Sequence, residues 1–281
     1  MKFIKSTKRL NEELEKRRAN KKSVGFVPTM GALHNGHLSL IENSNQNNDI
    51  TVVSIFVNPT QFNDKNDYAK YPRILEQDIE KLKKVKCNIL FIPNENEMYP
   101  TKDNREFDFG NLDKVMEGKH RPGHFRGVAL IVSKLFEIVK PDKAYFGEKD
   151  FQQVAIIKHI TKLLNFNISI ISCPIIREED GLAMSSRNML LTKEQRANVS
   201  LISKTLSEAR KKAKYKNVSD ITTWVIRTIN ENPFLEVEYF EIVDETNLKP
   251  INDWDQKEGI VGCIAVHVGT IRLIDNIRFY S

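Results

Sequence analysis

Five short apolar runs in the first two thirds of the chain leave little choice of architecture. They are SVGFVP (23–28), ITVVSIFV (50–57), CNILFIP (87–93), KAYFG (143–147) and NISIISCP (167–174). Several lack the polar alternation of a strand with one wet face, as expected where both faces are covered. Helical patterns separate them. ILEQDIEKLKKV (74–85) puts Ile74, Leu75, Ile79, Leu82 and Val85 on one face. FRGVALIVSKLFEIV (125–139) is more apolar and reads as a more buried helix. DFQQVAIIKHITKLL (150–164) can start on Asp150 as its N-cap. Strand, helix, strand, repeated, predicts an α/β fold with a doubly wound parallel sheet. Ligands then bind beyond the carboxyl ends of its strands.

The texture changes after residue 176. Two helical patterns follow, 192–213 and 219–232, the first opening with Thr192 and Gln195 as a capping box. Three β-rich runs close the chain: LEVEYFEIVD (235–244), IVGCIAVHVG (260–269) and TIRLIDNIRF (270–279), the last two reading as a hairpin around Gly269-Thr270. We expect two domains, 1–176 and a smaller α+β domain, 177–281.

Composition narrows the function. At 281 residues and 40% hydrophobic, the chain can bury a sizeable core. No apolar run approaches the roughly 20 residues of a membrane helix. The start, MKFIKSTKRLNEELEKRR, lacks the apolar stretch of a signal peptide, so a cytoplasmic protein is expected. Three cysteines, Cys87, Cys173 and Cys263, have no metal or disulfide spacing. The net charge of +6 comes from 43 basic and 37 acidic residues that are intermixed. That is a solvated surface or a locally basic cleft for a small anion, and no basic stripe interleaved with aromatics points to nucleic acid.

PTMGALHNGH, Pro28 to His37, follows the first buried run and opens a helical pattern. Its spacing nearly imitates a P-loop, with Gly31 and Gly36 five apart. His37-Leu38 stands where a P-loop needs Lys and Ser or Thr. Residues three apart on a first helical turn share a face, so His34 and His37 can both meet an anion at the helix N-terminus. Gly36 allows that anion a close approach. On this motif alone an ordinary structural pair is the commonest reading, and a zinc site with the histidines of HRPGH (120–124) would need further ligands, none of which stands at signature spacing. Two further signals favour phosphate. Met184-Ser185-Ser186-Arg187, in REEDGLAMSSRN (177–188), offers hydroxyls and a guanidinium suited to a pyrophosphate. FGEKD (146–150) puts Gly147 and Lys149 at the ligand-binding edge of the sheet.

An H-x-G-H helix entrance with a distal serine-rich basic loop resembles the superfamily of class I aminoacyl-tRNA synthetases and nucleotidylyltransferases. Within it the chain is similar to the pantoate–β-alanine ligase family. The stretches that carry this are PTMGALHNGHLSL, SIFVNPTQF, DYAKYPR, HRPGHFRGV, YFGEKDFQQ and REEDGLAMSSRN. The resemblance implies a Rossmann-like first domain binding ATP and pantoate, with the second closing over the ATP. It implies condensation of (R)-pantoate with β-alanine through a pantoyl adenylate, with release of pyrophosphate and AMP, needing Mg²⁺.

By the same resemblance, Pro28, Thr29, Met30, Gly31, Ala32, Leu33, His34, Asn35, Gly36 and His37 form the ATP-binding turn, with both histidines on phosphates. His37 would stabilise charge or donate a proton. Gly147, Glu148, Lys149 and Asp150 would contact the nucleotide, Lys149 on phosphate and Asp150 facing the ribose. The backbone of Ile176 would lie near adenine, and Met184, Ser185, Ser186 and Arg187 would close over the phosphates. Gln61 and Gln153 would hold pantoate, with Asn58 in the same set and Gln61 also near β-alanine. Arg121 and His124 would meet a carboxylate or the phosphates, Asp78 would ligate Mg²⁺, and residues 93–123 would form a lid. A homodimer is implied. The nearest rival is a nucleotidylyltransferase of the same fold that moves CMP or AMP onto a phosphate acceptor. Gln61 and Gln153 discriminate, since a phosphorylated acceptor calls for cations in their place. Beyond the sheet domain about a hundred residues remain, too few to suggest a tRNA synthetase with an anticodon-reading part.

Overall fold

The computed structural model describes residues 1–256 and 259–280. The chain divides into two compact units, one of Met1–Gly110, Arg121–Glu148 and Gln153–Pro174, the other of Asn111–His120, Lys149–Gln152 and Ile175–Ser281. The expected cut after residue 176 thus falls two residues earlier, and two short pieces of the expected first domain belong to the second unit. Buried polar contacts explain this. Gln152 Nε2 donates to the Leu112 and Val115 carbonyls, and its Oε1 accepts the Glu117 N–H. Glu117 in turn holds the Arg272 guanidinium through both carboxylate oxygens, at 2.6 and 2.8 Å.

The first unit is built on six parallel strands: β1 (Lys2–Ile4), β2 (Val24–Thr29), β3 (Ile50–Ile55), β4 (Ile89–Phe91), β5 (Lys143–Gly147) and β6 (Ser169–Cys173). Their order is β1-β4-β3-β2-β5-β6. The five expected strands are present. β1 was not expected, being three residues long with Phe3 51% exposed. Every residue of β3 is buried, which is why ITVVSI carries no polar alternation. The helix His124–Val139 is the most enclosed, and its Phe136 meets Phe26, Phe146 and Phe166 edge-on. These rings join sheet and helix in one core.

The topology has one switch point. Chain order runs from β2 outward to β3 and β4 on one side, and to β5 and β6 on the other. β2 pairs with β3 as far as Thr29↔Ile55, but with β5 only at Gly25↔Lys143 and Phe26↔Ala144. Beyond Phe26 those two strands part, leaving the crevice in which open α/β sheets hold ligands.

The second unit carries an antiparallel sheet of β7 (Glu236–Asp244), β8 (Ile260–Val268) and β9 (Ile271–Tyr280), with β8 in the middle. β8 and β9 form the expected hairpin, Val268 pairing with Ile271 across Gly269-Thr270. The helices Ser200–Lys212 and Val218–Asn230 pack Leu206, Ile221, Val225 and Ile229 in one cluster with Ile264 and Val266 of the sheet. The pattern 192–213 is two helices, not one. Lys193–Asn198 ends at Val199, whose angles stay helical, so the break is a local tightening of the hydrogen bonds. The Thr192–Gln195 capping box is present. Residues 93–123 contain two helical turns, Glu95–Met98 and Met116–His120.

Candidate active site

β2 ends at the switch point, and the histidine turn begins there. Thr29 is buried; its hydroxyl donates to the Ser54 carbonyl and accepts the Gly31 N–H. Gly31 and Ala32 both take left-handed angles, φ +80° and +50°. For Ala32 that costs about 1–3 kcal/mol, so something must hold it. The holder is Asp78, near the start of the helix Leu75–Lys84. Its Oδ2 accepts the Ala32 N–H at 2.9 Å and its Oδ1 the Leu33 N–H at 2.7 Å. A Cβ on Gly31 would stand 3.1 Å from Asp78 Oδ2 and from Ile55. Asp78 is 1% exposed. Burial raises its pKa above the ordinary aspartate value, against the pull of the Leu33 and Ala32 amides and the charge of Lys81. Lys81 also donates to the Leu33 carbonyl.

The helix Asn35–Asn47 starts from this turn with His34 as N-cap and no acidic residue in its first turn. The His34 backbone N–H donates to His37 Nδ1 at 3.3 Å. Because Nδ1 accepts, a neutral His37 carries its proton on Nε2. The two rings lie 4.1 Å apart, centre to centre. An anion at this helix end meets free N–H groups, the dipole and two imidazoles.

Gln61 sits beside this turn, its Nε2 donating to Met30 Sδ. It ends the helical turn Pro59–Gln61, capped by Asn58. Asn58 is 1% exposed and fully engaged. Its Oδ1 accepts from Thr60 Oγ1 and Tyr99 Oη, and its Nδ2 donates to the Gly127 carbonyl and to Gln61 Oε1. Asn58 therefore holds Gln61 in place. A Cβ on Gly127 would stand 2.2 Å from the Thr60 carbonyl oxygen, so the turn rests directly on the helix backbone. The HRPGH segment reaches the same turn. Arg121 can only donate, so His124 Nε2 accepts from it at 3.2 Å, and Nδ1–H donates to the Gln61 carbonyl at 2.7 Å.

Adjacent glutamines divide their work. Gln152 is buried and structural, as described above. Gln153 is half-buried on the helix Phe151–Leu163 and makes no hydrogen bond through its side chain within the described residues. Gly147 ends β5, and Glu148–Asp150 form one helical turn after it. Lys149 Nζ stands 3.6 Å from Asp150 Oδ1.

In the second unit the chain doubles back after residue 175. Arg177 pairs antiparallel with Ala183, and the Met184 N–H donates to the Ile176 carbonyl. That brings Ile176 and Met184, eight positions apart in the chain, side by side. Ser185 caps the helical turn Ser186–Leu190, its Oγ accepting the Arg187 N–H; Ser186 is buried and Arg187 half-buried. Asn188 Nδ2 donates to Glu178 Oε1 and the Ala183 carbonyl.

The residues present do not fit a protein-held Mg²⁺ at Asp78, because both its oxygens already accept backbone N–H groups in a buried place. Among the described residues no three or more His, Cys, Asp or Glu side chains converge to hold a metal. The sequence reading missed Asp78 as a brace for the turn, Asn58 as a brace for Gln61, and the Arg177–Asp275 pair described below. Asp275-Asn276, two adjacent polar residues inside an apolar strand, was the available signal for the last.

The fold defines a class first: an α/β protein with a six-strand parallel sheet and a small three-strand antiparallel sheet. The pantoate-beta-alanine ligase family model matches residues 2–278. The chain is 53% identical over 279 residues to a pantothenate synthetase of Bacteroides fragilis, covering 99% of each. It is 49% identical over 276 residues to one of Cytophaga hutchinsonii, covering 98% of each. A crystal structure of pantothenate synthetase from Thermus thermophilus superposes with a TM-score of 0.94 at 38% identity, covering 100% of both chains. The pantoate-beta-alanine ligase from Francisella tularensis, complexed with beta-gamma ATP and beta-alanine, gives 0.82 at 36% identity, covering 99% of this chain and 98% of that one. The chain belongs to the pantoate-beta-alanine ligase family and is a ligase that forms the amide of pantoate and β-alanine with ATP. This removes the phosphate-acceptor alternative.

Proposed function

We propose that this chain runs the reaction in two steps, with the named residues in the following roles. A carboxylate oxygen of (R)-pantoate attacks the α-phosphorus of ATP, and the bond to pyrophosphate breaks. The β-alanine amine then attacks the acyl carbon of the adenylate, the amide forms, and AMP leaves. No protein nucleophile is required, so the chain contributes position and charge.

His34 and His37 hold the phosphates at the helix entrance. The observation that carries this is the His34 N–H bond to His37 Nδ1, which fixes the ring at the helix entrance and, in the neutral form, puts its proton on Nε2. A donor held in place before charge grows needs little reorganisation in the transition state. Pyrophosphate is a good leaving group, so His37 acts by stabilising charge rather than by giving up its proton. Lys149, Ser185, Ser186 and Arg187 act on the phosphates. Gly147, Glu148 and Asp150 line the nucleotide, and the Ile176 backbone meets adenine. Gln61 and Gln153 receive pantoate, as amides that offer donor and acceptor without charge. Gln61 is braced on Asn58 and Met30, while the half-buried amide of Gln153 is left available. Arg121 and His124 act through the Gln61 carbonyl. Mg²⁺ accompanies ATP as counter-ion to its phosphates, with no step assigned to it. A cytoplasmic homodimer follows from the family resemblance, and sedimentation equilibrium tests the dimer.

The test is pyrophosphate release from Mg·ATP and pantoate, with and without β-alanine, in the wild type and in His37→Ala. Release that requires pantoate, with AMP and sustained turnover only after β-alanine is added, is the expected result. His37→Ala lowers the first step by about 100-fold or more. Release independent of pantoate would overturn the assignment.

A further inference from the structure

β9 buries two consecutive polar residues, Asp275 and Asn276, each 5% exposed. Neighbouring residues of a strand point to opposite faces, so this places a polar group on both sides of one strand. Both groups are satisfied, and their partners are informative. Asp275 receives the Arg177 guanidinium as a fork, Nη1 to Oδ2 at 2.7 Å and Nη2 to Oδ1 at 3.0 Å. Asp275 Oδ1 also accepts the Asn276 N–H. Arg177 donates as well to the Gly181 carbonyl, closing the turn that leads to Met184–Arg187. Asn276 Nδ2 donates to the backbone carbonyl of Lys149 at 3.1 Å.

We infer that Asp275 and Asn276 are positioning residues for adenylate formation: one strand holds Lys149 through Asn276 and the Ile176–Arg187 loop through Asp275, and so fixes the spacing of two phosphate-binding segments. This rests on the reading of Lys149 and Ser185–Arg187 as nucleotide contacts. Stability alone does not account for the arrangement. An ion pair with one partner buried is weak support for a fold, and apolar side chains of similar size serve a core as well or better. Leu273 and Phe279 of the same strand do that work in the adjacent cluster. The polar pair instead fixes two segments that lie far apart in sequence, at 149 and 177.

The test is a double-mutant cycle on the full-length chain, read by single-turnover adenylate formation, with KM for each substrate and thermal unfolding measured alongside. Asn276→Asp keeps the shape and loses the donor. Its adenylation rate is expected to fall about tenfold, with KM for β-alanine unchanged and unfolding within a few degrees of wild type. In a Lys149→Ala background the same change is expected to cost less than twofold, because the group it places is gone. Arg177→Lys, which keeps the charge and gives up the fork, repeats the cycle against Arg187→Ala and serves if Asn276→Asp does not fold. Fully additive losses, or losses that merely track the melting temperature, would overturn the inference while leaving the assignment of Lys149 intact. An active Lys149→Ala would overturn that assignment and the inference with it.

Discussion

The two segments proposed to hold phosphate are anchored in different ways. In the first unit, the turn before His34 hangs by its own backbone N–H groups from one buried carboxylate, Asp78. In the second, the loop carrying Ser185–Arg187 is tied by a side chain, Arg177, to Asp275. A backbone anchor fixes the main chain itself, including two left-handed residues in a row, and is shielded from salt. A guanidinium anchor fixes a loop through four rotatable bonds, and its Arg177 side chain keeps 30% exposure. The first arrangement suits a rigid wall. The second ties its segment through a longer, partly exposed side chain.

The sharpest way to break this comparison is Asp78→Asn. The amide can accept from one N–H and turns its own donors toward the other. We expect a stability loss of about 2–5 kcal/mol by urea unfolding and loss of adenylation by about 100-fold in whatever remains folded. A pH profile sharpens the same point. Protonating Asp78 removes an acceptor, and burial has raised its pKa, so adenylation falls on the acid side sooner than an ordinary aspartate predicts. For stability the sign is opposite. The folded chain binds that proton more tightly than the unfolded chain does, so ionising Asp78 costs the fold as pH rises from the ordinary aspartate value through the raised one. Replacing Asp78 flattens this dependence.

A smaller effect is expected for Gly31→Ala. The new methyl meets Asp78 and Ile55 at 3.1 Å, in a residue at φ +80°, and the cost is about 1–3 kcal/mol of stability. KM for ATP rises, while β-alanine use is unchanged. The smallest effect belongs to the second anchor. Arg177→Lys loses the fork but not the charge, so stability changes by about 1 kcal/mol or less. KM for ATP increases a few-fold, and the increase grows with salt. Equal effects from Asp78→Asn and Arg177→Lys would erase the distinction between the two anchors.

Much of this was legible in the sequence, for a physical reason. Strands buried on both faces are written as local apolar runs, so β2 to β6 could be read directly. β1 could not, because three residues with an exposed Phe3 carry no such run. The break at Val199 leaves no mark, since the residue keeps helical angles. In the site, His34 and His37 were visible because both stand on one helical turn. Asp78 was visible as an acid but not as a brace, because its partners lie 45 and 46 residues away. That Asn58 supports Gln61 is visible only in the fold, where it is buried and donates to the Gln61 amide oxygen. The division of 149–152 and 111–120 into the second unit depends on Gln152 and Glu117, whose partners no local pattern announces.

The contact between Gly127 and Thr60 has a consequence for inheritance. Every amino acid reached from a glycine codon by one base change adds at least a Cβ, and here that atom meets the main chain at Thr60 and Gln61 at 2.2–2.7 Å. Main chain cannot swing aside as a long side chain does. No single-base missense change at this codon yields a residue that fits unaltered, and a lineage can pass through residue 127 only by first moving the turn that carries Gln61.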